Sequence, residues 1–221
     1  MAEISPIELK RGKSVNVSLA FSPSSATPVA NGSASAGADT VTIDALDKFM
    51  PAGTTVLFSS GATIILSQDA LVGTTTLTSD GSSANDLSAN IADDETAVVP
   101  SKNFYTSDAQ FTAKLVLRRK IGNSFNGPEV DTLISLTPDT DNPSANPPVV
   151  QSSHGRIRFP NIGSTSSLPN IVLYWSGAES STLPNEDVTV FGDLQITDTD
   201  VASTEAIHSI RLRFDIKAEI I

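Results

Sequence analysis

The chain contains no cysteine among its 221 residues. This absence excludes disulfide bridges, zinc sites built on thiolates and catalysis by a thiol. A chain of this length can bury a substantial core without such cross-links, as one large all-β domain or as two smaller ones. Packing and hydrogen bonding must therefore supply the stability of the fold.

Long apolar segments and helical periodicity are missing as well. No run of about 18 apolar residues occurs, so we expect no transmembrane helix and no membrane partner. The opening residues, up to Lys13, lack the apolar core of a signal peptide, which predicts no export by that route. Only 5% of the residues are aromatic and 39% are hydrophobic. With many Ser and Thr residues, this balance favours sheets with one solvated face over a helical core.

Positive charge is scarce, with 14 Lys and Arg residues against 25 Asp and Glu residues and a formal net charge of -11. Generic nucleic-acid binding needs a basic surface, so the overall balance argues against it. Apart from Lys48 and Lys102, the bases lie in four groups: Lys10, Arg11 and Lys13; Lys114, Arg118, Arg119 and Lys120; Arg156 and Arg158; Arg211, Arg213 and Lys217. These groups are either solvated strand faces or basic strands that meet the acidic loops of a neighbouring copy.

The clearest strand is the last segment, Ser209 to Ile220. Its apolar residues occupy every second position, and the residues between them are charged with both signs: Arg211, Arg213, Asp215, Lys217 and Glu219. Strict alternation predicts a strand with one buried face. Because a chain terminus frays unless it is held, this strand must pair with another strand of the same molecule or of a neighbour.

Alternation predicts further strands upstream, notably from Val15 to Phe21 and from Ala109 to Lys120. The stretch 186–198 is predicted to form a pair of strands. Residues Ser22–Ala38 and Pro138–Pro148 are rich in Ser and Pro and predict long irregular loops. The helix signal is weak, limited to a turn or two at 44–50 and in the segment 201–210.

The segment 37–100 has a weak internal duplication that predicts a small β-module with two related halves. Residues 37–43 resemble residues 73–79, and residues 50–58 correspond to residues 91–99. The predicted fold class is all-β, an antiparallel β-sandwich or barrel with an inserted small β-module and long Pro/Ser-rich loops. The main domain would comprise residues 1–36 and 101–221, and the insertion residues 37–100.

Residues suited to catalysis are few, and the sequence predicts no enzyme and no cofactor. The two histidines, His154 and His208, share no context that indicates a metal pair, and a Ser-His-Asp triad, which is defined by geometry, stays open as an alternative. No nucleophile elbow of the G-x-S-x-G type and no phosphate-binding glycine loop occurs. A glycosidase would need aromatic sugar platforms, and the chain has one Trp and two Tyr. Tyr174 and Trp175 are predicted to lie in the core, with an interface as the alternative.

Acidic residues lie close together in three places, which leaves a calcium site as the alternative to solvated loops. The three groups are Asp139 with Asp141, Asp198 with Asp200, and Asp93 with Asp94 and Glu95. None of them has the glycine and the distal glutamate of an EF-hand loop.

The insertion resembles a β-module of tailed-phage virion proteins. Two segments match its pattern, Met50-Pro51-Ala52-Gly53-Thr54 and the stretch from Asp69 to Leu77. The flanking regions are similar to a tail-tube subunit, in the first strand after Arg11 and in the closing region from Val190. The resemblance covers about a quarter of the chain in the module and has no catalytic residue, so it implies a structural role in a virion assembled in the host cytoplasm.

A tail-tube subunit would form six-membered rings from copies of itself, beside other virion proteins. Genomic DNA would then pass as non-specific cargo through a lumen whose acidic wall does not bind it. The resemblance also implies one helix packed against the sandwich. Because no strong helix signal is present, a capsid decoration (cement) protein bound to the major capsid protein is the first alternative. A ligand- or glycan-binding β-sandwich of a tail tip is the second.

Self-assembly is predicted to use the charged faces of two strands, the closing strand and the strand from Ala109 to Lys120. The residues assigned to it are Arg211, Arg213, Asp215, Lys217, Glu219, Lys114 and Arg118. Their apolar neighbours would face the core, and the mixed-sign ladders would help to set the register between strands.

Overall fold

The computed structural model describes residues 6–105, 111–120, 127–135, 155–160, 168–198 and 208–218. The structure confirms the all-β class, because the described residues form thirteen strands and one four-residue helix. The elements in chain order are β1 (Ile7–Lys10), β2 (Val15–Leu19), β3 (Thr40–Thr42), β4 (Thr55–Phe58), β5 (Thr63–Ile65), β6 (Thr76–Thr78), β7 (Ala97–Val98), β8 (Phe111–Arg119), β9 (Glu129–Ser135), β10 (Arg156–Arg158), β11 (Ile171–Trp175), α1 (Gly177–Ser180), β12 (Val188–Asp198) and β13 (His208–Lys217).

The chain divides into two compact units. Unit 1 comprises Met1–Leu19, Asn103–Ile162 and Pro169–Ile221, and unit 2 comprises Ala20–Lys102 with Gly163–Leu168. Unit 2 contains the predicted insertion but begins at residue 20 instead of 37. The reason is that part of the predicted loop Ser22–Ala38 pairs within this unit: Val29 bridges Thr96, Ala30 bridges Ile43 and Ala34 bridges Ile91.

Unit 1 is built on an eight-stranded sheet in the order β1-β13-β12-β8-β9-β10-β11-β2. The terminal strand β13 is therefore an interior strand, parallel to β1 on one side and antiparallel to β12 on the other. Strand β12 pairs with β13 from His208 to Ile216, and β1 pairs with it from Phe214 to Lys217. The closing strand thus pairs with strands of the same molecule, which is the first alternative of the sequence prediction. Within the described residues, the sheet ends at β1 and β2.

The core of unit 1 follows the predicted alternation. In β13, Leu212, Phe214 and Ile216 are buried while the residues between them are partly or fully exposed. In β8, Leu115 and Leu117 are completely buried between Lys114, Val116 and Arg118. The side-chain period of two places each apolar set on one face, where burial stabilises the sheet by roughly 1.5–3 kcal/mol per large side chain.

The segment predicted as two strands is one continuous strand, β12, which pairs along its length with both β8 and β13. Glycine in the interior of a strand often marks a bulge or a close approach of another group. In the structure Gly192 lies on the inward face, and the space that a side chain would occupy is filled by Leu115 and Leu117. Tertiary packing therefore requires glycine here and keeps the strand unbroken.

We predict that Gly192→Ala lowers the free energy of unfolding by about 1–3 kcal/mol, the usual cost of overpacking a core. A Cβ at this position would lie 2.6 Å from Leu115 Cδ1 and 2.7 Å from Leu117 Cδ2. Urea unfolding followed by Trp175 fluorescence measures the effect. The double variant Gly192→Ala with Leu117→Val should recover part of the loss, and no recovery would show that the cost has another origin.

Unit 2 has two small sheets, one with the order β3-β6 and one with the order β5-β4-β7. The equivalent segments of the two predicted halves pair with each other, since β3 pairs with β6 and β4 pairs with β7. Its core is a separate cluster of small and aliphatic side chains that includes Val41, Ile43, Met50, Phe58, Ile64, Leu77 and Ile91.

The same type of four-residue turn occurs three times in unit 2. In Ser35–Ala38, Pro51–Thr54 and Leu71–Thr74, the fourth residue donates its N–H to the carbonyl of the first, at 3.0–3.2 Å. The third residue is Gly37, Gly53 or Gly73, with φ between 75° and 89°. This conformation suits glycine and a type II turn. At the corresponding place after Ile91, Asp94 adopts φ 59°.

The one helix in the described residues is α1, four residues long and located directly after β11. Its capping box joins Ser176 and Glu179 reciprocally. The sequence analysis did not predict it. The predicted helical turns at 44–50 are instead bends and a bridge, and those at 201–207 lie outside the described residues.

Candidate assembly surface

The outward side of the strands β1, β13, β12 and β8 forms one continuous surface, which we call the charged face. Six of the seven residues predicted for self-assembly lie on it, four in β13 and two in β8: Arg211, Arg213, Asp215, Lys217, Lys114 and Arg118. The seventh, Glu219, lies outside the described residues. The sheet topology brings the two strands to the same face because β12 alone separates them.

Strand β12 contributes residues to this face that the sequence analysis did not select. Asp193 pairs in register with Arg211 on one side and Val116 on the other, and Phe191 lies between Arg213 and Arg118. The alternation in Val188–Asp198 marks these as outward positions. Their neighbours across the sheet could not be known without the strand order.

Most charges on the face are compensated inside the molecule. Arg211 Nε lies 2.9 Å from Asp193 Oδ1, Lys217 Nζ lies 3.1 Å from Asp187 Oδ2, and Arg118 lies 3.7 Å from Glu129. Arg213 lies 3.7 Å from Asp215, which also accepts a hydrogen bond from Thr189 Oγ1 at 2.7 Å. Exposed pairs of this kind contribute little each, about 0–1 kcal/mol. They leave a face that is polar but locally neutral.

The charged residues of β13 have different neighbours on its two sides. Opposite β12, Arg211 faces Asp193. Opposite β1, like charges face each other, Glu8 with Asp215 and Lys10 with Lys217. Such pairs disfavour a register, so the apolar positions Leu9 and Phe214, both completely buried, must set the pairing of β1 instead.

Ion pairing shifts the pKa of several groups at this face. The pKa of Asp187 is lowered, first by the N–H of Ala218 and then by Lys217. The pKa of Lys217 is raised by its hydrogen bond and its attraction to Asp187. The pKa of Arg211 is raised by Asp193 in the same way. Asp187 therefore holds the end of β13 through both a backbone amide and a side chain.

We predict that Asp187→Asn lowers the melting temperature slightly near neutral pH and that the difference disappears in acid. A carboxylate with a lowered folded pKa stabilises above its unfolded pKa, here near 3.8, and this contribution is lost as the pH falls through the folded value. Lys217, with a raised pKa, contributes below its unfolded value of 10.5 and loses this contribution as the pH rises through its folded value. Thermal melts of both proteins from acid to alkaline pH check this, and a gap that widens in acid would contradict it.

A shallow depression of about 230 Å³ lies in the charged face above Gly192. Its apolar floor is formed by Val116 and Phe191, and its rim includes Lys114, Arg118 and Arg211 with Asp193 and Gln195. Among the described residues, no carboxylate lies within ion-pair distance of Lys114. Arg118 and Arg211 of the rim pair with Glu129 and Asp193. Lys114 therefore gives the depression an excess of positive charge.

Two of the acidic residues considered as calcium ligands accept hydrogen bonds from backbone N–H groups of unit 2. Asp93 accepts the N–H of Gly32 at 2.6 Å, and Glu95 accepts N–H groups of Ser60 and Ala92. The hydrogen bonds from Ser60, and after them the bond from Ala92, lower the pKa of Glu95. Together with the bond to Asp93 they hold the turns of unit 2. In the described part of the chain, no three His, Cys, Asp or Glu side chains are grouped so that they could hold a metal ion. The side chain of His208 and all of His154, Asp139, Asp141 and Asp200 lie outside that part.

Trp175 is completely buried and Tyr174 is partly buried on the opposite side of β11. This agrees with the predicted core position of Trp175. Tyr174 instead lies beside two cations, with its ring centre 5.2 Å from the guanidinium carbon of Arg156 and 5.4 Å from that of Arg158. No helix within the described ranges has the length and apolar character to cross a membrane.

Comparison with known proteins finds no family, no curated protein and no solved structure that matches this chain.

Proposed function

We propose that this chain is a structural subunit of a tailed-phage virion that assembles with copies of itself into the tail tube. The observation that carries the proposal is the charged face, a broad antiparallel surface presented by the long strands β8, β12 and β13. It has the regular two-sign pattern and the lack of a catalytic constellation that suit a packing surface. The resemblance of residues 37–77 to a virion β-module supports the same class.

The distribution of charge is consistent with a tube. Unit 2 has nine Asp and Glu residues and two Lys residues, so it accounts for a charge of -7 out of the -11 of the whole chain. An acidic surface repels nucleic acid and lets it slide, as a conduit for DNA requires.

A capsid decoration protein is the second candidate, and the short helix favours it. The tail-tube resemblance implies a helix packed on the sandwich, whereas α1, the one helix in the described residues, has four residues. A decoration protein would use the same charged face against the major capsid protein, without forming closed rings.

Electron microscopy of the purified protein distinguishes these functions. A tube subunit is expected to form six-membered rings or tubes in negative stain. Trimers or monomers that coat empty phage capsids in a binding assay would favour the decoration role. Discrete monomers that bind neither capsids nor each other, but bind glycans on an array, would overturn both in favour of a tail-tip module.

A further inference from the structure

Unit 2 displays an apolar surface that its own fold does not require. Leu71 and Val72 are 62% and 67% exposed, the highest values among the large hydrophobic residues described. Met50 pairs with Ala70, and this antiparallel register brings Phe49, 44% exposed, alongside Leu71. We call Phe49, Leu71 and Val72 the apolar tip.

The two other turns of this type in unit 2, Ser35–Ala38 and Pro51–Thr54, show that the turn geometry does not require large apolar side chains. At the positions equivalent to Leu71 and Val72, the turns with the same hydrogen bond have Ser35 with Ala36 and Pro51 with Ala52. Gly73 supplies the positive φ in this turn as Gly37 and Gly53 do in theirs. The fold of unit 2 does not require large aliphatic side chains at these two exposed positions. An exposed apolar patch of this kind is typical of a contact site.

The surroundings of the tip have both signs of charge with an acidic excess. Asp47 and Asp69 lie in the segments that lead to Phe49 and Leu71, and Lys48 lies 3.9 Å from Asp47. The whole unit has a net charge of -7. A complementary surface must therefore combine an apolar floor with a basic rim. The depression in the charged face has this composition, with Val116 and Phe191 below Lys114, Arg118 and Arg211.

We propose that the apolar tip of one copy docks into the basic depression on the charged face of a second copy. A cavity of about 150 Å³ can hold a benzene-sized group, so the observed 230 Å³ accommodates an aliphatic side chain of the tip. Asp69 beside the tip then faces Lys114, which has no carboxylate partner among the described residues. This inference rests on the proposed self-assembly and assigns its contact surfaces.

The contact is heterologous, because the tip and the depression are different surfaces of the chain. Repeated head-to-tail contacts of this kind close into a ring when the rotation between copies permits it and otherwise give an open filament. Each copy offers one tip and one depression, so a variant that lacks either surface can still be bound through the other.

The test uses two full-length double variants. The first, Leu71→Ser with Val72→Ala, introduces the residues that the turn Ser35–Ala38 has at these positions. The second is Lys114→Glu with Arg118→Glu. Sedimentation velocity should show self-association at least roughly tenfold weaker for each variant alone, as expected when a central contact is lost. Mixed together, the two should form a one-to-one dimer, because the intact tip of one fits the intact depression of the other. Val98→Thr alters another exposed apolar residue of unit 2, 40% exposed in β7, and should associate like the parent chain.

Unchanged melting temperatures establish that the variants are folded. If both variants assemble as well as the parent chain, or the mixture gives no dimer, the docking inference is wrong. Rings or tubes formed by those same variants would leave the proposed function intact. Tip-dependent dimers of a parent chain that never forms rings or coats capsids would support the docking contact and contradict the proposed function.

Discussion

Glu179→Gln is expected to lower the free energy of unfolding by about 3–5 kcal/mol, the usual loss when one partner of a buried ion pair is removed. Glu179 Oε1 lies 2.8 Å from an Nη of Arg156, and the two side chains are 6% and 9% exposed. Glutamine has the same shape and can keep the capping bond to the Ser176 N–H, which Glu179 Oε2 accepts at 2.6 Å. The substitution therefore isolates the charge and leaves a buried guanidinium without its counter-ion.

Two further variants give this prediction its controls. Asp193→Asn removes the carboxylate of the exposed pair with Arg211 and should cost no more than about 1 kcal/mol. The double variant Glu179→Gln with Arg156→Met removes both buried charges and should recover most of the loss. Urea unfolding followed by Trp175 fluorescence compares them. If Glu179→Gln and Asp193→Asn lowered the free energy of unfolding equally, burial would not make the Glu179–Arg156 pair more important than the exposed Asp193–Arg211 pair.

Trp175→Ala is expected to destabilise unit 1 by about 3–5 kcal/mol, the range for deleting a large buried aromatic side chain. The indole is completely buried, packs edge-on against Phe214 with ring centres 6.1 Å apart, and fills the space beside Gly155. Its Nε1–H donates to Asp131 Oδ2 at 2.8 Å. Asp131 is itself 2% exposed, so the tryptophan supports both packing and a buried carboxylate.

Trp175→Phe separates these two contributions. Phenylalanine keeps a ring but removes the donor, and leaving a buried acceptor short of a partner costs about 1–3 kcal/mol. Tyr174→Phe alters the adjacent, partly exposed aromatic residue and should stay within about 0.5 kcal/mol of the parent chain. The chain has one Trp, so circular dichroism replaces fluorescence as the measurement. If Trp175→Phe were as harmless as Tyr174→Phe, the bond to Asp131 would contribute nothing.

The buried polar cluster of Asp131, Trp175, Arg156 and Glu179 could not be predicted from the sequence. Asp131 lies in a strand of mixed polar and apolar residues, and Glu179 follows a strand in a stretch without helical periodicity. Their burial depends on the neighbouring strands, since β10 pairs with both β9 and β11 and so brings Arg156 and Gly155 between them. The sequence shows the capping pattern of Ser176 and Glu179. A helix of four residues is too short to add the 3.6-residue periodicity by which a helix is recognised in a sequence.

The sequence by itself determined the all-β class, the inward and outward positions of β8 and β13, and the core position of Trp175, because side-chain alternation is a local property of a strand. The tertiary structure alone decided that the terminal strand lies inside the sheet, that β12 runs unbroken past Gly192, and that Asp193 and Phe191 join the predicted charged residues on one face. Strand order and the space available to a side chain depend on residues far apart in the chain. Local patterns contain no information about which of those residues become neighbours.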